Sequence, residues 1–154
     1  MAVNPIIGVF QKERYCMEVL EVGGWKFFVG DDSGFVEAKV GKWMYFFKDQ
    51  EGQMFAEDRC REAVEKGIVC EAKCSESDEG VACFYLNIDD IGRHKRIIQY
   101  FLDYDMIRRT KAGTLYNISF KLDNRTRAGA YGDDFKAELK LESLMDLKTG
   151  EWLI

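Results

Sequence analysis

The sequence contains very little of what marks linkers, membrane segments or secreted proteins. Its 154 residues include one proline, Pro5, and no serine- or glycine-rich tract that would separate two domains. No apolar run free of charges approaches the roughly 18 residues that a membrane helix needs, and the N-terminal stretch lacks the basic and apolar regions of a signal peptide. We therefore predict a single domain, 1–154, in the cytoplasm and without a membrane partner.

Motifs for catalysis and nucleotide binding are also missing. The chain has no GxGxxG, GxxxxGK[ST], HExxH or GxSxG pattern. His94 is the only histidine, and Asp90 shares its predicted helix face, but no nucleophile is tied to the two by spacing. Asp133 and Asp134 are adjacent carboxylates, which occur in turns as well as in ion sites. We predict no enzyme, no cofactor and no metal, and keep a small enzyme of unknown reaction as the last alternative.

Five cysteines are too few and too irregularly spaced to predict a metal site or a disulfide framework. Their number is odd, and a cytosolic protein is kept reduced. Residues 68–74 alternate and 81–88 are rich in β-formers, with a polar turn between them, so the cysteine-rich stretch reads as a β-hairpin. Cys70 and Cys74 then lie on its apolar face, whereas the face of Cys83 depends on strand register.

The apolar pattern elsewhere predicts an α+β fold. Strands are expected at 15–22, 25–29, 42–48, 115–122 and 135–141, and helices at 55–66 and 89–103. From about 42 to 122 the order is β-α-β-β-α-β, the ferredoxin-like arrangement, with an antiparallel N-terminal hairpin and an extra C-terminal strand added to it. The alternative is a curved antiparallel sheet packed on two helices with other connectivity.

Charge is distributed unevenly along the chain. Residues 49–90 carry twelve acids and four bases, net −8, whereas 91–127 carry three acids and nine bases, net +6. The sequence thus predicts an acidic binding patch made of Glu57, Asp58, Glu62, Glu65, Glu76, Asp78 and Glu79. It also predicts a basic patch made of Arg93, Lys95, Arg96, Arg108, Arg109, Lys111, Arg125 and Arg127.

These features favour recognition over catalysis. An acidic surface suits a basic protein partner, and small acidic proteins without catalytic motifs are often inhibitors. We therefore expect a non-enzymatic protein-binding module, of the kind that phages and mobile elements use against nucleic-acid-handling complexes, as anti-CRISPR proteins do. The alternative is a nucleic-acid or nucleotide binder that uses the basic segment 91–127.

Overall fold

The computed structural model describes residues 17–31, 34–123 and 139–154. Within these ranges the chain forms two α-helices, a short 3₁₀-helix at Leu141–Ser143 and one seven-stranded antiparallel sheet. The elements in chain order are β1 Glu18–Val22, β2 Trp25–Val29, β3 Val40–Phe47, α1 Gln50–Glu65, β4 Glu71–Ser75, β5 Gly80–Asn87, α2 Ile91–Asp103, β6 Ser119–Leu122 and β7 Leu139–Lys140.

The sheet is larger than the predicted ferredoxin-like one. Its strand order is β1-β2-β4-β5-β3-β6-β7, with seven strands where a ferredoxin-like sheet has four, so that prediction is not matched. The predicted succession of elements from β3 to β6 is present, and β4, β5, β3 and β6 are contiguous. The sheet has more strands than predicted because β2 pairs with β4, β1 pairs with β2, and β7 pairs with β6.

Both helices lie on the same face of the sheet. The ring of Phe101 on α2 packs edge-on against Phe84 of β5, with centroids 5.2 Å apart. On α1, the Cys60 thiol lies 3.7 Å from the Lys73 carbonyl oxygen of β4. Phe84 pairs with Trp43 and Ala72 in the register, so this face carries the fully buried aromatic core.

Capping residues set the ends of both helices. Asp49 caps α1 by accepting from the Gly52 N–H at 2.7 Å, so α1 begins five residues before the predicted start. Asp90 caps α2 through the Arg93 N–H, so α2 begins two residues after the predicted start at 89. Gly67 follows α1 in the left-handed region, and Asp105 occupies the same position after α2 with φ 55°.

The N-terminal hairpin turns on two glycines. Gly23 and Gly24 have φ of 58° and 82°, and two positive values in succession are what a type I′ hairpin turn requires. β1 forms the edge of the sheet, and all five of its residues are exposed. Of the predicted C-terminal strand 135–141, only Leu139–Lys140 is seen as strand; 135–138 lie outside the described residues.

Candidate interaction surfaces

The sheet face turned away from the helices is exposed at its hairpin end. Leu20 pairs with Phe27 and Val22 with Trp25, and all four side chains point away from α1 because their neighbour Phe28 lies in the core. Leu20 is 46 % exposed and Val22 61 %. Trp25 and Phe27 beside them are half-buried, and the exposed branched side chains with these two rings form the kind of apolar patch that marks interaction sites.

A cation strengthens the aromatic part of this patch. The Lys73 ammonium lies 4.0 Å from the centroid of the Trp25 ring and 5.6 Å from that of Phe27. Such a cation–π contact holds the indole in place and keeps the charge on the sheet. The centre of the same face is closed, since Cys83 and Tyr85 on β5 are only 3 % and 6 % exposed.

Acidic side chains border the turn at the end of this patch. The turn between β4 and β5 carries Glu76, Asp78 and Glu79, all exposed. The Glu76 N–H donates to the Gly24 carbonyl at 2.9 Å, so this turn lies against the hairpin turn next to Val22. These three predicted acidic residues are therefore brought beside the exposed apolar side chains, and we refer to the two sets together as the acid-rimmed patch.

The four predicted acidic residues on α1 have different surroundings. Asp58 and Glu65 are exposed, and Glu57 forms an ion pair with Lys26 at 3.2 Å. The Glu62 carboxylate accepts from the hydroxyls of Tyr100 and Tyr104, both at 2.8 Å. The Tyr100 hydrogen bond is the main reason that the pKa of Glu62 is lowered. Glu62 thus links the two helices, and its carboxylate already has hydrogen-bond partners within the chain.

The six described residues of the predicted basic patch lie near opposite ends of α2, a helix of about 20 Å. At its first turns, Arg93 donates to the carbonyls of Gly67 and Ile68, which follow α1. Lys95 donates to the carbonyl of Ile154. Beyond its other end, Arg109 donates to the Gly113 carbonyl. The remaining three are exposed, namely Arg96, Arg108 and Lys111; Arg125 and Arg127 lie outside the described residues.

Lys95 and Arg96 line a shallow groove along α2. The groove has a volume of about 420 Å³ and includes the indole of Trp152. The Lys95 ammonium lies 5.6 Å from the centroid of that indole. Two cations beside an aromatic ring could bind a phosphate and a stacked base.

His94 belongs to the core. It is fully buried, its Nδ1 lies 3.0 Å from Trp43 Nε1, and its Nε2 lies 2.8 Å from the Ile88 carbonyl oxygen. Since the indole N–H only donates and a carbonyl only accepts, the ring is neutral with its hydrogen on Nε2. Burial lowers the pKa of His94. The other residues of the enzyme alternative, Asp133 and Asp134, lie outside the described residues.

The register of the cysteine hairpin settles the face of Cys83. Lys73 pairs with Cys83 and Glu71 with Tyr85, so Cys83 shares the face of Tyr85, opposite to Cys74. Burial raises the pKa of Cys83 to about 11, and Cys74 is fully buried as well. Among the described residues, no group of three or more potential ligands is placed to hold a metal ion.

A cleft separates β3 from the chain that leads into β6. It has a volume of about 340 Å³ and is lined by Met44, Tyr45, Phe46, Met106, Tyr116 and Ile118, with Arg108 as the cation in its lining. Tyr116 belongs to the predicted strand 115–122, yet its side chain is 47 % exposed. The strand begins only at Ser119, so the alternation before it does not describe a sheet face.

The sequence analysis did not predict the apolar part of the acid-rimmed patch. The signal was present in β1 and β2, whose residues 19–20 and 27–29 are apolar on both sides of the strands. Helices cover only one face of such a hairpin, so the other is left open.

No family model matches the chain, and a search of curated proteins finds no match. Nor does any helix within the described ranges have the length and apolar character needed to span a membrane.

Proposed function

We propose that the chain is a non-enzymatic protein-binding module whose partner presents a basic surface. The observation that carries this proposal is the acid-rimmed patch, where Leu20 and Val22 stand exposed next to the acidic turn 76–79. Apolar centres surrounded by charges are the usual anatomy of protein interfaces, because the apolar part provides affinity and the charged rim selects the partner.

Inhibition of a nucleic-acid-handling complex is the finer part of this proposal. Proteins that hold nucleic acid have basic grooves, and a basic groove is the surface that the acidic turn would complement. The net charge of −5 of this chain agrees with such a role.

Removing the apolar centre tests the proposal directly. We expect the double variant Leu20→Ser/Val22→Ser to bind the native-host partner about tenfold more weakly or worse, because two exposed apolar side chains would no longer be buried in the complex. The measurement is capture on immobilised protein, followed by titration of the captured partner in the purified state.

The matched control is Val36→Ser/Leu153→Ser, which removes two comparably exposed apolar side chains elsewhere on the surface. It should leave binding unchanged. Equal loss of binding in both double variants, or no loss in either, would contradict the proposal that the acid-rimmed patch binds the partner.

A nucleic-acid binder is the second candidate, favoured by the groove in which Lys95 and Arg96 flank Trp152. Fluorescence polarisation with labelled DNA and RNA tests it, with Arg96→Gln compared against Lys148→Gln, since Lys148 is also exposed but lies outside the groove. Binding that is insensitive to both salt and Arg96 would end this candidate.

A further inference from the structure

The backbone of β3 is paired on both sides only at its beginning. β5 pairs with it along its whole length, from Val40 to Phe47. β6 pairs with it at Gly41 and Lys42 alone. Within the part of the chain that the structure describes, no backbone hydrogen bond joins 44–47 to 106–118.

Local hydrogen bonds hold the facing chain away from β3. The Tyr116 N–H donates to the Arg108 carbonyl at 2.8 Å, and the Ile118 N–H donates to the Tyr116 carbonyl at 3.0 Å. These two N–H groups already form hydrogen bonds within the facing chain, so they do not pair with β3. Among the described residues, the second half of β3 has no strand partner on this side, and the cleft lies along this edge.

The walls of the cleft suit a bulky apolar side chain. Phe46 is 61 % exposed and Tyr116 47 %, and they stand on opposite sides of the opening. Met44 and Met106 also line it, and methionine adapts its shape to different neighbours. A volume of about 340 Å³ lies at the small end of ligand pockets and suits one or two side chains better than a cofactor.

Charge at the cleft selects the occupant further. Arg108 is exposed and forms no ion pair with the described residues. Arg108, Asp49 and Asp105 all interact electrostatically with the Tyr45 hydroxyl, and the Asp49 carboxylate is already bonded to the Gly52 N–H. Because Arg108 has no carboxylate partner in the part of the chain that the structure describes, its guanidinium would pair with an incoming carboxylate.

We propose that this cleft takes an extended segment of a partner protein, which adds a strand along Met44–Phe47. One bulky apolar side chain of that segment enters the cleft, and a neighbouring acidic side chain meets Arg108. Strand addition draws affinity from main-chain hydrogen bonds and specificity from pockets for alternate side chains, and β3 offers both. This inference rests on the proposed function, since it assumes a protein partner, but it concerns a separate surface.

The test is a selection from random decapeptides displayed on phage against the intact chain. We expect enriched peptides to place an aromatic or large aliphatic residue within two positions of Asp or Glu. Synthetic copies should bind Arg108→Gln and Tyr116→Ala about tenfold more weakly, and Lys111→Gln within about twofold of the unaltered chain. Arg108, Tyr116 and Lys111 are all exposed, so these variants keep the fold.

N-methylation of the peptide separates strand addition from side-chain binding alone. Methyl groups on the amides beside the apolar residue remove the donors that would pair with β3, and we expect binding to fall about tenfold. Unchanged binding after methylation overturns the strand-addition step. No enrichment, or enriched peptides that bind the Arg108 and Tyr116 variants normally, overturns the site.

Three further outcomes keep this inference distinct from the proposed function. Self-association of the chain that is lost in Tyr116→Ala would show a second copy as the occupant and overturn the proposal. Peptides that bind Leu20→Ser/Val22→Ser normally, while the native partner does not, would support both surfaces. If no peptide binds while the native partner still depends on Val22, the cleft inference fails alone.

Discussion

At the residue scale, burial decides what His94 can do. The sequence shows a histidine four residues after an aspartate, which is compatible with a general base. In the fold, the ring packs edge-on to Trp43 and Phe120, with centroids 5.9 and 4.9 Å away, and both of its nitrogens are bonded. His94 therefore ties α2 to β3 as a neutral core residue.

The buried neutral ring predicts a loss of stability in mild acid. A histidine with a lowered pKa in the folded state stabilises the protein fully above its unfolded pKa of about 6.5, and this contribution is lost as the pH falls below that value. Protonation would also place a second donor against the Trp43 N–H. We expect the free energy of unfolding in urea to fall between pH 7.5 and 5.5, by at most about 1.4 kcal/mol per pH unit.

His94→Gln is the control for this prediction, because the chain has no other histidine. In that variant the slope between pH 7.5 and 5.5 should flatten. A wild-type profile that is already flat would contradict the neutral, buried assignment.

Glu62 shows why residue type alone cannot assign a surface role. Its spacing along α1 resembles that of Asp58 and Glu65, and the sequence grouped the three together. Only the packing of α2 against α1 brings two tyrosine hydroxyls to its carboxylate. The guanidinium of Arg59, 3.0 Å from the same oxygen, completes the cluster.

At the element scale, one glycine allows β3 and β6 to meet. A Cβ built on Gly41 would lie 2.6 Å from the Lys121 carbonyl oxygen and 2.6 Å from the Phe120 ring. The ring fills the space that a side chain would need, and it reaches Trp43 with centroids 5.6 Å apart. Only glycine therefore fits where the two strands pair before they separate around the cleft.

Gly41→Ala should destabilise the fold by roughly 1–3 kcal/mol, because neither a backbone oxygen nor a buried ring can move aside cheaply. The measurement is urea unfolding followed by fluorescence. Gly34→Ala is the matched control, since a Cβ there meets nothing within 4 Å. Equal stability of the two variants would show that the strand junction is looser than the structure indicates.

Elements were predictable where local signals agree. The Gly23-Gly24 turn, strand β2 and the end of α1 at Gly67 all follow from residues within a few positions. The early start of α1 was missed because Gly52 lowers helix propensity, although Asp49 caps the helix. The strand predicted at 115–122 shortened to Ser119–Leu122 because the preceding N–H groups bond elsewhere.

At the scale of the whole molecule, the acidic and basic side chains are grouped differently in the fold from the way they are grouped along the sequence. The turn 76–79 and the start of α1, with Asp49 and Glu51, lie at one end of the sheet, since Phe47 pairs with Gly80 there. The cations of 91–127 do not form an equivalent single cluster among the described residues, because α2 separates them.

This arrangement predicts that partner binding depends on the acidic turn and not on the acidic helix face. Reversing the turn with Glu76→Lys/Asp78→Lys/Glu79→Lys should abolish capture of a basic partner, and raising salt from 0.1 to 0.5 M should weaken wild-type binding by about tenfold. Affinity is measured by titration at each salt concentration.

Asp58→Lys/Glu65→Lys reverses two exposed acids on α1 and is the matched control. It should change affinity by no more than about threefold. If this helix variant no longer binds the partner while the variant of the turn still does, the binding surface lies on α1. The proposal that the acid-rimmed patch binds the partner is then wrong.

The sequence by itself determined the α+β class, the succession of elements from β3 to β6 and the hairpin turns, because these follow from contacts within a few residues. Only the tertiary structure decided how many strands share the sheet, which face Cys83 takes, and which charges remain available. Those properties depend on register and on packing between distant segments, and a single shift in pairing would exchange buried and exposed side chains.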